Sequence, residues 1–403
     1  MAQPPRPEDA ATGRPEPRSD DVGGARPRVF VFLQHGLSLE AWRSSRGGGA
    51  THSDSPYEYA VAMAVTDMSW SVDRREALVA ERLRRSVRRV LGFDLVHAWR
   101  NRRAMGSAQV IWTHTERESL AALAVLWLLR NRTTKVIAQS VWLWDEWSSR
   151  SAPLRWLYRA LLDRAAVEIT LSDANRAIAR AERRSEAVYR VPFGIGVNEA
   201  LADEAIARAS GATGGPYVLA VGSDRHRDWA TLHSAALLLP DVTFRVATLS
   251  TSYPEQDAPR NVRLTPAGTL EVLYDMYARA AAVVLPLREN QHASGCTVAL
   301  EAQRLGRPLI TADTGGIGLY LGDRGVYRYP AGDSAALAER ITSVLRERAA
   351  GEDPASDSDL LRSRGLTGRD YAARLVMLTR WLLYGTPDPG EAERLAPMRT
   401  VLS

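Results

Sequence analysis

Cysteine and lysine are almost absent from this chain: among 403 residues there is one of each, Cys296 and Lys135. A single thiol excludes an internal disulfide and a thiolate metal cluster, and it fits a reducing compartment. A single lysine excludes a Gly-Lys-Ser/Thr phosphate loop and leaves Lys135 as the sole candidate for a Schiff base. Lys135 ends an Asn131-Arg132-Thr133-Thr134 turn ahead of a strand-like run, so no such cofactor is expected. The histidines show no metal-ligand spacing, and no metal is expected. Long apolar runs are missing as well. The longest, 120–129, falls far short of the ~20 residues that a membrane span needs. It reads as a buried helix after Thr113-His114-Thr115-Glu116.

What the chain does contain is enough apolar residue, 45% against 25% charged, to build two domains with full cores. The net charge of +5 comes almost wholly from arginine. No clustered basic and aromatic motif accompanies it, so the bias is attributed to a GC-rich genome and no nucleic acid partner is expected. Residues 1–26 form a Pro-, Arg-, Asp- and Gly-rich tail without an apolar centre, expected to be disordered and not a signal peptide. From Arg28 onward strand-like and helix-like pieces alternate. Strands are expected at 29–33, 94–97, 109–112, 136–139 and 167–171, and a helix opening at Pro56. That alternation is an α/β pattern of parallel crossovers.

The richest stretch is Ala293-Ser294-Gly295-Cys296-Thr297-Val298-Ala299-Leu300-Glu301-Ala302, closed by Gly306-Arg307-Pro308 and the short strand Leu309-Ile310-Thr311-Ala312. Ser294 is expected to cap a helix, Gly295 to let a ligand approach the backbone, and Gly306 with Pro308 to stop the helix. An unsatisfied turn of N–H groups then faces the cleft. Glu301 lies seven residues after the cap, roughly 10 Å along the axis at ~1.5 Å per residue, on the same helix face. That suits a nucleotide, with phosphates at the helix end and a ribose diol on the carboxylate. A buried-strand run, Val283-Val284-Leu285-Pro286, precedes the helix, and Thr311-Ala312-Asp313-Thr314-Gly315-Gly316 supplies a second Gly-rich turn. Strand, helix and strand with both turns at one sheet edge is how open parallel sheets build ligand clefts.

From Leu285-Pro286 through Gly316 the chain resembles the donor-binding core of GT-B glycosyltransferases, and within them the retaining GT4 group. The family pattern is a Glu, seven residues, a second Glu, a small residue, Gly-x-Pro and a Thr-x-x-Gly-Gly turn. Glu301 matches the second Glu, which the resemblance implies holds the nucleotide ribose. The first falls on Ala293, so the carboxylate that family members place near the donor sugar is missing. Upstream, Tyr217-Val218-Leu219-Ala220-Val221-Gly222 followed by Ser223-Asp224-Arg225-His226-Arg227 is similar to the family's first strand and phosphate turn. By that resemblance Arg225 and Arg227 neutralise the diphosphate leaving group, with Arg227 in the slot of the second cation. Val191-Pro192-Phe193-Gly194-Ile195 resembles the family's inter-domain signature.

The resemblance thus implies a GT-B, α/β architecture of two Rossmann-like domains facing across a cleft. The acceptor domain is expected over 27–195, a linker over 196–213, the donor domain over 214–370, a helix returning to the first domain over 371–385 and a tail over 386–403. The implied activity is transfer of a sugar, with retention, from a nucleotide-diphosphate sugar to a hydroxyl acceptor, without a cofactor. Arg225 and Arg227 are the expected catalytic cations. Glu301, Ser294, Gly295, Cys296, Thr297, Gly222, Gly315 and Gly316 are the expected donor-binding residues. On the acceptor side the candidates are Gly48, within Gly47-Gly48-Gly49, and the strand-end residues His114 and Glu116. The place of the family's catalytic His is taken by Gln139-Ser140, so no general base is assigned. With Ala293 unable to bond the sugar, selectivity is expected to rest on Ser294, backbone N–H groups and Glu289 or His292, with tolerance of deoxysugars. Two other readings stay open: a nucleotide-sugar 2-epimerase of the same fold, and a non-catalytic nucleotide-sugar-binding partner of another transferase. A cytoplasmic location is expected, and the basic amphipathic segment 154–162 leaves open a peripheral contact at the inner membrane face.

Overall fold

A computed structural model describes residues 25–46, 53–74, 76–210, 216–352 and 355–402. Its strands fall into two groups of six. The first comprises β1 (Arg28–Phe32), β2 (Asp67–Trp70), β3 (Val110–Thr113), β4 (Lys135–Ser140), β5 (Val167–Thr170) and β6 (Val188–Arg190). The second comprises β7 (Tyr217–Val221), β8 (Thr243–Ala247), β9 (Val262–Leu264), β10 (Ala282–Leu285), β11 (Leu309–Asp313) and β12 (Val326–Pro330). The orders are β2-β1-β3-β4-β5-β6 and β12-β11-β10-β7-β8-β9. Every pairing is parallel.

Parallel sheets are covered by helices on both faces, so their central strands are buried on both sides and read as unbroken apolar runs. Tyr-Val-Leu-Ala-Val of β7 and Ala-Val-Val-Leu of β10 are buried throughout. In each sheet the strand order reverses once: between β1 and β3 in the first, between β7 and β10 in the second. Such a reversal opens a crevice beyond the C-terminal strand ends, where ligands bind in open α/β sheets. The loops after β1 and β3, and those after β7 and β10, are therefore where function is built.

The segment 191–195 carries the chain from one sheet to the other, and Ile195 pairs with Thr367 in a parallel bridge. Gly194 is required there by proximity, since a Cβ would lie 1.9 Å from the Thr367 carbonyl oxygen. The helix Gly368–Tyr384 then packs on the first group of strands. Thr379 Oγ1 accepts from Trp112 Nε1 at 2.9 Å, and Tyr371 bonds Gln139.

Two sequence expectations need correction. Residues 94–97 are not a strand: Asp94 caps the helix Leu95–Arg100, its carboxylate accepting from His97 N at 3.0 Å. The apolar pair after it is helical because a capping Asp precedes it. Several strands were not foreseen, among them β6, β8, β9 and β12; β2 pairs with β1 alone and carries a short, half-polar edge sequence with little apolar signal. Ser294 is not the cap of its helix. The helix is Cys296–Arg304, and the cap is Gly295 in the left-handed conformation at φ 75°, which frees the Ser294 hydroxyl for other partners. The Gly47-Gly48-Gly49 loop, including Gly48, lies outside the described residues, as does most of the expected N-terminal tail.

Candidate active site between the two sheets

A cavity of about 510 Å³ lies where the two reversal points face each other. Its size is within the ~300–1,000 Å³ usual for small-molecule sites. From the first sheet it is lined by Gln34, His114, Thr115, Glu116 and Glu118, with Val141 and Trp142 beyond β4. From the second come Asp224 and Arg225 after β7, and the run His292, Ala293, Ser294, Gly295, Cys296 and Thr297 after β10. The first-turn N–H groups of the helix Cys296–Arg304 have no intrahelical acceptor and carry its positive dipole end toward the cavity.

Around that helix end the charged groups differ in burial. Arg227 is 3% exposed. Its Nε donates to the Val221 carbonyl at 3.0 Å and Nη1 approaches Ser294 Oγ at 3.4 Å. Burial lowers its pKa from the usual guanidinium value, and Asp224 works against that shift. No ion pair to Arg227 forms among the described residues, which leaves a buried cation short of a counter-charge. Gly222, at φ 127°, makes room for it, since a Cβ there would sit 2.3 Å from the guanidinium. Arg225 is arranged differently: 57% exposed, it reaches across to pair with Glu146 of the first domain.

His292 is the hub of a second network. Its Nδ1 lies 2.5 Å from Asp145 Oδ2, which also accepts from the backbone N of Gln291 at 3.2 Å. Ser172 donates to the Gln291 carbonyl at 2.6 Å, so the first domain grips this loop at two points. Gly316 backs it from behind: a Cβ would lie 1.6 Å from the His292 carbonyl oxygen. Asp224 accepts from His226 N at 3.0 Å and from Ser294 Oγ at 2.9 Å. Burial opposes ionisation of Asp224, yet His226, His292 and Ser294 together hold its carboxyl far below the usual range. Burial likewise opposes a charge on His292, and Asp145 and Asp224 outweigh it, raising the imidazole above its ordinary value. Asp145, His226 and His292 each bring a ligand atom within 4.8 Å of the others, so they could hold a cation. Sequence spacing could not reveal this set, because its members stand 66 to 147 positions apart on three loops.

The remaining candidates separate into those at the cavity and those away from it. Gly295, Cys296 and Thr297 form its wall, but burial pushes the Cys296 thiol up to about 12, which leaves it protonated. Glu301 is partly buried behind the helix end, accepting from Tyr277 Oη at 2.8 Å. Burial lifts its carboxyl to about 7, with Tyr277 lowering it in part. Gly315 and Gly316 back the His292 loop without lining the cavity. His114 lines it, with Nδ1 on Tyr59 Oη at 2.8 Å and its ring stacked on Tyr57, and burial lowers its pKa to about 3. A neutral, hydrogen-bonded imidazole results. Glu116 is committed to the backbone N–H groups of Val141 and Trp142 at 3.0 and 3.2 Å, which makes it a staple for the loop after β4. Glu118, missed in the sequence, lines the cavity and is lifted by burial to about 7 despite its bonds to Thr115. The Ser/Thr-x-x-Glu capping pattern Thr115–Glu118 was the signal that could have found it. Trp142 lines the cavity, whereas Trp144 and Trp147 pack into the core.

Residues 216–347 match the family model described as "Glycosyl transferases group 1". The protein is a glycosyltransferase. Its fold is the GT-B architecture, shared with solved structures at low identity. A sucrose-phosphate synthase from Thermosynechococcus elongatus superposes at a TM-score of 0.64 with 18% identity, covering 89% of this chain and 100% of that one. An alpha,alpha-trehalose 6-phosphate synthase from Burkholderia multivorans gives 0.64 with 13% identity over 89% and 99%. Anabaena HepE in complex with UDP-glucose gives 0.61 with 13% identity over 89% and 100%. No curated protein matches the sequence. No helix among the described residues is long and apolar enough to cross a membrane.

Proposed function

We propose that this glycosyltransferase takes its sugar from a nucleotide-diphosphate donor held by the second domain and passes it, with retention, to a hydroxyl acceptor held by the first. The observation that carries the reading is the buried Arg227 without an ion-pair partner among the described residues, placed beside the N-terminus of Cys296–Arg304 at a strand-order reversal. A cation and a dipole end that converge in a buried crevice stabilise a departing diphosphate, whose negative charge grows as the glycosidic bond breaks. Retention is supported by the resemblance of the Glu301 region to the GT4 group. The UDP and UDP-glucose complexes of the HepE structures support a nucleotide sugar as donor. No metal is assigned a step. A thermal-shift panel of UDP, GDP, ADP and dTDP sugars, followed by product analysis with acceptor mixtures, tests the reading. Stabilisation by one nucleotide series with sugar transfer is the expected result. A nucleotide that binds without transfer or donor hydrolysis would instead identify a non-catalytic partner, and C2 inversion of the free donor would identify an epimerase.

A peripheral membrane contact belongs to the same proposal, on a different helix from the one expected. In Ala152–Leu162 the apolar residues Tyr158, Leu161 and Leu162 are buried in the core of the first domain, leaving Trp156 exposed. The helix Leu78–Leu91 instead exposes Leu78, Val79, Leu83 and Val90, beside the exposed Arg82, Arg85, Arg88 and Arg89. An unpartnered apolar stripe flanked by arginines matches an anionic lipid surface in both shape and charge. Flotation with phosphatidylglycerol vesicles, and its loss in Leu83→Glu, is the expected outcome. Equal binding to phosphatidylcholine, or none to either, contradicts this contact.

A further inference from the structure

The family's first glutamate is replaced by Ala293, whose methyl group lies in the cavity wall and offers no hydrogen bond. Polar atoms stand beside that methyl. The His292 side chain is 3% exposed, and its Nδ1 is engaged by Asp145. Asp145 is a pure acceptor when ionised, so Nδ1 carries a proton and the ring is fixed in orientation. The other nitrogen, Nε2, is buried without a hydrogen-bond partner among the described residues. It lies 3.6 Å from Asp224 Oδ2, too far for a direct hydrogen bond. Both residues line the cavity, and Ser294 Oγ donates to the same carboxylate oxygen at 2.9 Å.

We propose that His292 and Asp224 together read one hydroxyl group of the donor sugar, in place of the carboxylate lost at Ala293. A hydroxyl is both donor and acceptor. One oxygen placed at ~2.8 Å from each residue accepts from Nε2–H and donates to Asp224 Oδ2. It gives the buried Nε2 a partner and bridges it to the half-buried Asp224 carboxylate, and a site that leaves a buried polar atom unpaired discriminates against a ligand lacking the hydroxyl. Carboxylates stand at both ring nitrogens, Asp145 Oδ2 at 2.5 Å from Nδ1 and Asp224 Oδ2 at 3.6 Å from Nε2, and flanking negative charge on both sides favours a proton on each nitrogen. Asp145 belongs to the first domain, so it acts as a positioning residue, and the reading atom is correctly set only when the two domains meet. The inference rests on the nucleotide-sugar reading above. It replaces tolerance of deoxysugars with its opposite at one hydroxyl.

The test uses the nucleoside diphosphate that thermal shift selects, its glucosyl donor, and donor analogues lacking one hydroxyl each. Calorimetry in EDTA compares wild type with His292→Ala, His292→Gln and Asp224→Asn. Wild type is expected to lose about tenfold or more in affinity for one deoxy donor. His292→Ala and Asp224→Asn are expected to bind that analogue and its parent alike, with nucleoside diphosphate affinity held within about threefold. His292→Gln, which keeps an N–H donor, is expected to retain part of the discrimination. The proposal is overturned if wild type binds all deoxy donors as well as the parent, if the alanine variant still discriminates, or if nucleotide and donor affinities fall together. It is overturned equally if discrimination appears only when a divalent cation is restored, which would assign His292 to a metal. A wild type that binds no nucleoside diphosphate at all would overturn the functional reading itself, a result distinct from each of these.

Discussion

The two strand-order reversals hold their ionisable groups in opposite ways. At the first, His114 is driven neutral by burial, Glu118 is lifted to about 7, and Glu116 is committed to backbone N–H groups. At the second, Asp224 is held ionised, His292 is raised above the ordinary imidazole value, and Arg227 stays buried without an ion pair among the described residues. His114 and His292 are both buried yet shift in opposite directions, so burial alone does not decide the charge state. The difference is made by partners: carboxylates and histidines are paired around Asp224, whereas Tyr57 and Tyr59 surround His114. A crevice of held charges beside a helix N-terminus suits a diphosphate.

The sharpest way to break this comparison is to remove the buried cation. Arg227→Ala should lower kcat by about 10²–10³, the scale seen on deleting one preorganised donor to developing charge, while melting temperature falls by only a few degrees. Parallel loss of stability and turnover would give Arg227 a structural role instead. Glu301→Gln comes next, weakening nucleotide affinity by about 1.5–3 kcal/mol if the carboxylate bonds the ribose. Its pKa near 7 adds a second readout. Ribose hydroxyls favour the ionised form, so binding at pH 6.5 should release protons, visible as a binding enthalpy that varies with buffer ionisation enthalpy.

Much of the second crevice was legible because its pieces are contiguous. The Gly295 to Ala302 helix, the Gly306-Arg307-Pro308 stop and β11 are local patterns whose physics needs no distant partner. Position within the helix was harder: Gly295 in the left-handed conformation is the cap, and the Ser294 hydroxyl goes instead to Asp224, 70 residues away. The Asp145–His292 contact spans 147 positions and two domains, and no spacing rule reaches that far. In the first domain the strands were mostly readable as apolar runs, yet Glu116 looked like a ligand and is a staple, because its acceptors' partners lie 25 and 26 residues on. Residues 94–97 misled for a local reason, a capping Asp followed by β-branched and apolar residues that suit either structure.

Smaller effects sharpen the contrast further. Glu118 has a folded pKa raised above its ordinary 4.5 to about 7. The folded state therefore binds more protons between those values, and stability falls as pH rises through that window. Glu118→Gln, which can keep the capping contact, should gain about 2 °C in Tm relative to wild type at pH 8 and little at pH 5. A gain that does not depend on pH would show that Glu118 is ionised like its counterparts in the second crevice. Smallest of all, Arg225→Ala should change turnover less than about tenfold, because its pairing with Glu146 is largely exposed. An effect matching that of Arg227→Ala would move the phosphate site toward the domain junction.

The central claim is that the second crevice holds a diphosphate through Arg227 and the N-terminus of Cys296–Arg304. Calorimetric titration of wild type and Arg227→Ala with a nucleoside diphosphate and with the corresponding monophosphate tests it most directly. The account predicts that wild type prefers the diphosphate by at least about tenfold, roughly 1.4 kcal/mol, and that Arg227→Ala binds the two nearly alike. An undiminished preference in Arg227→Ala, with the fold intact, would contradict it.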